Sequence, residues 1–121
     1  MAKEMLRLKK FHDDLVEMTG FKVFDIDMSK DEVDNNSSFF MYYEKGTISK
    51  AENNKDLLRE FVLMFVTKDN SNIDEYSIIQ KANTWGLRFK NTSYDYGEML
   101  NSQELVRVTT FFFQQVVVCD G

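Results

Sequence analysis

The chain has little of what enzymes and metal proteins use. It contains no proline, one cysteine, one histidine and one tryptophan among its 121 residues. The single cysteine, Cys119, cannot form an internal disulfide, and without a Cys/His cluster a structural zinc site is excluded. A lone thiol is typical of proteins in a reducing compartment. We therefore expect no disulfide, no metal and no cofactor.

Long apolar runs and an excess of positive charge are also missing. The longest apolar runs, Phe61–Val66 and Val116–Cys119, are far shorter than the ~20 residues that span a bilayer. The N-terminal MAKEMLRLKKFHDDL has charges every few residues, unlike a signal peptide or membrane anchor. The net charge is −5, which argues against binding to the phosphate backbone of nucleic acids. These features predict a protein assembled in the cytoplasm, without a membrane or a sequence-specific nucleic-acid partner.

Two segments have the pattern of helices. Over residues 3–19, apolar side chains recur at three- and four-residue spacing, and Gly20 is a natural stop. They are Met5, Leu8, Phe11, Leu15 and Met18. A second helix is predicted from about 73 to Gly86, because Asn72 and Glu75 fit a capping box.

Five segments favour strands, at about 21–28, 39–44, 59–67, 88–97 and 104–118, because β-branched and aromatic residues are concentrated there. The polar stretches 29–37 and 46–57 predict loops, the second being either a hairpin tip or a mobile loop. The order α-β-β-β-α-β-β predicts one α+β domain over residues 1–121. Its sheet is mixed or antiparallel, with four to five strands and two helices.

The third and last predicted strands are apolar on both faces. Side chains alternate between the faces of a strand, and such strands need cover on both. Two short helices can cover one face, which leaves two alternatives. Either the helices lie on opposite faces or the sheet curls over itself, or an uncovered face meets another copy of the chain. The predicted interface residues are Phe61, Leu63, Phe65, Phe111, Phe113 and Val117.

The sequence offers no constellation for catalysis. His12 lies at the edge of the first helix's apolar stripe and is interpreted as a partly packed residue, with Cys119 as its one conceivable nucleophile partner. The acidic clusters are Asp13/Asp14/Glu17, Asp25/Asp27 and Asp31/Glu32/Asp34. Paired carboxylates can act as acid and base or bind a metal, but solvated surface is the commoner role. We therefore predict that the chain is not an enzyme.

The order of elements covers nearly the whole chain and carries a resemblance. The residues that carry it are REFVLMFVTKD (59–69), the helix end Trp85-Gly86-Leu87-Arg88-Phe89, and RVTTFFF (107–113). The chain resembles the tail terminator family of long-tailed bacteriophages and prophages, also called tail-completion or tail-to-head joining proteins. The family has no strict motif, so the match is one of pattern and order.

The resemblance implies a structural virion protein without catalysis or cofactor. It implies a hexameric ring of identical chains that caps the tail tube, ends tail growth and presents a joining surface to the head connector. The partners would be other copies, the tail tube protein and a head-connector protein. The location would be the virion tail, after assembly in the host cytoplasm.

Two other classes remain open. A small acidic inhibitor or immunity-type protein would bind one basic partner with electrostatic steering, and the acidic run near residues 25–34 permits that. A small enzyme using Asp or Glu is the weaker alternative. Assembly state separates the first two classes, since an inhibitor can be a monomer whereas a terminator should form rings.

Overall fold

The computed structural model describes residues 2–4, 6–26, 32–33, 35–44, 46–51, 56–98 and 105–119. Two α-helices and a mixed sheet confirm the α+β class. The elements in chain order are β1 (Ala2–Glu4), α1 (Leu8–Thr19), β2 (Val23–Asp25), β3 (Ser38–Tyr43), β4 (Ile48–Lys50), β5 (Leu57–Thr67), α2 (Glu75–Lys81), a 3-10 turn (Ala82–Trp85), β6 (Leu87–Glu98) and β7 (Leu105–Cys119).

Two long strands, β5 and β7, organise the sheet. They pair antiparallel from Leu57 opposite Val117 to Thr67 opposite Arg107. The outer side of β7 carries β6 and, beyond the start of β6, β1. The outer side of β5 carries β3 and β4, and β2 pairs parallel with β3. The described residues therefore form a sheet of seven strands, close to the predicted four to five, with β1 and β4 as short additions beside the long pair.

Both helices pack on the same face of the sheet, which we call the helix-covered face. Phe11 of α1 lies edge-on to the rings of Tyr42, Phe61 and Trp85 at centroid distances of 5.2–5.4 Å. The main core thus joins α1, the 3-10 turn and alternate residues of three strands. The buried strand residues of this core include Phe40, Tyr42, Phe61, Leu63, Phe65, Phe111 and Phe113.

Hydrogen bonds attach α1 to the 3-10 turn. The backbone N–H of Arg7 donates to the carbonyl oxygen of Trp85 at 2.8 Å. The indole Nε1 of Trp85 donates to Oδ2 of Asp14 at 2.9 Å, and Lys10 Nζ donates to the same oxygen at 2.7 Å. The indole thereby fills the core while its one polar atom reaches a charged acceptor at the surface.

The helix boundaries differ from the predicted ones. α1 begins at Leu8 rather than at residue 3, because Ala2–Glu4 pairs with the end of β7. Gly20 ends α1 in the left-handed region with φ 78°, as predicted. The N-cap of α2 is Asp74 rather than Asn72, since Asp74 Oδ1 accepts from the backbone N–H of Ser77 at 3.1 Å.

Candidate assembly surfaces

The second face of β5 and β7 is covered by neither α1 nor α2, and its helical neighbours in the described chain are Glu32 and Val33. Phe39, Val66 and Val106 are buried there, and Val33 packs against that cluster. The remaining apolar residues of this face are half-buried. They include Leu58, Val62, Met64, Phe112 and Val116. The prediction that both strands are apolar on both faces is confirmed, and the two predicted helices lie on one face rather than on opposite faces.

The structure brings the six predicted interface residues together, but inside the chain. Phe61, Leu63, Phe65, Phe111 and Phe113 have no exposed surface, and Val117 is 7% exposed. The five fully buried residues lie on the helix-covered face within the main core, and Val117 lies on the same face farther along β7. Contact with another copy in this conformation must therefore use other residues.

A group of exposed apolar side chains lies at the β6 edge. Because α2 has only seven residues, it does not cover the side of β6 that lies on the helix-covered face. The exposed side chains there, which we call the β6 patch, are Tyr76, Phe89, Tyr94, Tyr96 and Leu105. Tyr76 and Tyr96 are 80% and 79% exposed. A groove of about 430 Å³ between α2 and β6 runs through this patch.

A hydrogen bond orders the β6 patch. The phenol of Tyr94 donates to Oε1 of Glu75 at 2.5 Å, which joins β6 to the first turn of α2. Donation to a carboxylate favours the protonated phenol and raises the pKa of Tyr94. The hydrogen bond thus holds the phenol oxygen beside α2, while the ring of Tyr94 remains exposed.

Further exposed apolar residues lie towards the opposite edge of the sheet, on α1, after β2, at the end of β3 and on β4. We call them together the β2 patch: Val16, Ile26, Tyr43 and Ile48, which are 41–46% exposed. Val16 follows His12 by one helical turn, and His12 contacts the ring of Tyr42 on β3. Outside the two patches, Met18 is the one large apolar residue of the described chain exposed to a similar degree.

One end of the sheet is held by a carboxylate network. Asp69 Oδ1 accepts hydrogen bonds from Ser71 Oγ, Ser38 Oγ and Thr67 Oγ1 at 2.6, 2.7 and 2.9 Å. These donors, Ser71 foremost, hold the pKa of Asp69 well below its usual range. Arg107 donates to the carbonyl oxygen of Ser71. The network joins β3, β5, β7 and the turn that leads to α2.

The residues considered for catalysis are packed or paired. His12 is half-buried between the rings of Phe11 and Tyr42, and burial lowers its pKa. Asp13 pairs with Lys9, and Asp14 pairs with Lys10. Cys119 ends β7 opposite Ala2. Asp27, Asp31 and Asp34 lie outside the described residues, and those described contain no group of three metal-binding side chains.

No family model matches the chain, and no curated protein matches it in sequence. None of the helices in the described ranges is long and apolar enough to cross a membrane.

Proposed function

We propose that this protein is a structural assembly protein whose copies form a closed ring, and that the ring ends a phage tail tube and joins it to the head. The observation that carries the proposal is the placement of exposed apolar side chains. They form two patches at opposite edges of one sheet, the β6 patch and the β2 patch.

Two different patches on opposite sides suit a ring. A two-fold dimer buries the same patch on both partners, whereas a ring repeats one contact between two different patches until it closes. Tyrosine is enriched at protein interfaces, because its body is apolar and its hydroxyl tolerates water. Tyr43, Tyr76, Tyr94 and Tyr96 supply four of the nine patch side chains.

The tail-terminator role is carried by the resemblance of the sequence, with the edge patches as its physical support. A ring at the end of a tube must contact copies at its sides, the tube on one rim and the connector on the other. The lateral contacts would use the two edges. The loops at the two ends of the sheet would then face the tube and the connector.

The test is deletion of the gene from the phage or prophage that carries it. The expected result under the electron microscope is tail tubes of uncontrolled length and unjoined heads, with both defects restored by the gene supplied in trans. A variant in which the charges along the β6 edge are reversed serves as a control that should fold but not assemble. Normal virions from the deletion strain would contradict the proposal.

The inhibitor hypothesis gives the opposite expectation. An acidic inhibitor needs one partner and no self-assembly, so it would remain a monomer and leave phage morphology unchanged when deleted. No described surface favours it specifically, because the exposed apolar patches lie at two opposite edges rather than at one acidic site.

A further inference from the structure

We infer that two copies of this chain dock side by side, with the β6 edge of one copy against the β2 edge of the next. The two sheets have the same orientation, so each strand runs in the same direction as its equivalent in the neighbouring copy. The inference rests on the proposed ring and assigns its lateral contact. The apolar patches supply the contact area, and the charges beside them specify the orientation.

The β6 edge changes sign along its length. Arg88 and Lys90 are exposed near the start of β6, and Asp95 is exposed near its end. A β-bulge between Phe89 and Asn91 places Lys90 as an extra residue in the strand. Bulges re-aim side chains at sheet edges. The strand is thus basic at one end and acidic at the other.

The β2 edge changes sign in the reverse order. The register places Val23, Phe40, Phe65, Thr109 and Tyr94 in one row across the sheet. Lys22 precedes Val23, and its carbonyl oxygen accepts from the backbone N–H of Phe40.

The same register gives the position of each charged residue along the strand direction. Lys22 lies in the row of Asp95, towards the acidic end of β6. Asp25 lies in the row of Thr92, which is two residues from Lys90. Both Lys22 and Asp25 are exposed.

Side-by-side docking in one direction therefore matches charge with opposite charge. Asp95 of one copy meets Lys22 of the next, and Lys90, on its long flexible stem, meets Asp25. Within the described part of the chain, neither Lys22, Lys90 nor Asp95 forms an ion pair. Complementary rows of this kind fix register and suppress wrong partners.

A two-fold contact between two β6 edges is the competing geometry. It would also bring Lys90 towards Asp95, so charge alone does not exclude it. However, that contact would leave Ile26 and Tyr43 of the β2 patch uncovered. The heterologous contact instead places the β6 edge of one copy against the β2 edge of the next, and because it joins two different edges it can close into a ring.

Two double variants test the contact. The β6-reversed variant carries Lys90→Glu and Asp95→Lys, and the β2-reversed variant carries Lys22→Glu and Asp25→Lys. Each exchanges one positive and one negative residue, so the net charge of −5 is unchanged. All four side chains are exposed, and circular dichroism should show the wild-type fold.

Each variant alone should assemble roughly 100-fold more weakly than wild type, because like charges then face each other. An equimolar mixture should assemble again, since the reversed β6 edge matches the reversed β2 edge and the two unchanged edges match each other. The readout is mass by light scattering. The control Glu17→Lys changes an exposed charge on α1 and should assemble normally.

The outcomes separate this contact from the proposed function. If wild type assembles and neither variant is impaired, or the β6-reversed variant alone still assembles, the assigned contact is wrong although the ring can stand. If the mixture restores rings but deletion of the gene leaves tails normal, the contact holds and the tail role fails. A wild type that never assembles overturns both.

Discussion

The core and the two edges use aromatic residues in different ways. Beneath the helices lie phenylalanines such as Phe11, Phe61 and Phe113 with no exposed surface, whereas four of the five tyrosines are 42% exposed or more. Phenylalanine has no polar atom to satisfy in a core. Tyrosine keeps an apolar ring at the surface while its hydroxyl stays hydrated. The high aromatic content thus serves the stability of the core, and in the proposed ring it would also serve association at the edges.

The largest expected effect is on the core side of this comparison. Trp85→Ala should lower the free energy of unfolding by about 3–5 kcal/mol, because Trp85 is 0% exposed and contacts Phe11. Urea unfolding measures the loss. Trp85→Phe keeps a ring in the cavity and should lose less. A loss from Trp85→Ala below about 1 kcal/mol would show that this region is not a close-packed core.

The converse effect is expected at the β6 patch. The double change Tyr76→Ser with Tyr96→Ser should leave unfolding within about 0.5 kcal/mol per site of wild type, yet weaken assembly about tenfold or more. Concentration-dependent light scattering measures the assembly. Met18→Ser, an exposed apolar residue outside the patches, is the matched control. If the control weakened assembly as much as the tyrosine variant does, the β6 patch would contribute no more to assembly than other exposed apolar residues.

A backbone contact gives the next effect. A Cβ at Gly46 would lie 2.6 Å from Cβ and 2.8 Å from the carbonyl oxygen of Glu60. Gly46→Ala must therefore displace the backbone beside β5, at a cost of about 1–3 kcal/mol. Gly97→Ala is the control, since its nearest atom would be Val106 Cγ2 at 3.9 Å. Thermal unfolding of both variants should separate them, and equal melting temperatures would contradict this packing.

The smallest effect concerns pH. Because the pKa of Asp69 is lowered in the folded chain, its stabilising contribution is present above its unfolded pKa of about 4 and is lost as pH falls further. Asp69→Asn should therefore flatten the fall of stability between neutral and acid pH. Unfolding at a series of pH values measures the slope, with Asp95→Asn as the control. An unchanged slope in Asp69→Asn would show that the network does not depend on the carboxylate.

Alternation along the strands predicted much of the fold. The opposed sets in β5 and β7 point to opposite faces, as the spacing indicated. Alternation does not say which set the helices cover when both sets are apolar. For this reason the sequence predicts Phe61 and its neighbours as an interface, whereas in the structure they form the core.

The short strands, the helix cap and the exposed edges could not be predicted from the sequence, for physical reasons. β1 and β4 have three residues each, too few to show a period, and both are strands because a long neighbour offers unpaired backbone groups. Asn72 and Asp74 can both cap a helix, and only the turn geometry selects Asp74. Tyr94 and Tyr96 share one side of a strand with polar alternates, a signal that could have marked the β6 patch.

Absolute mass in solution tests the central claim most directly, measured by size-exclusion chromatography with light scattering across a wide concentration range. The expected result is a closed species of about six times the 14.3 kDa chain, with no assembly larger than this ring. A particle of 14.3 kDa at every concentration would contradict it, since the two exposed edges would then have no affinity for each other.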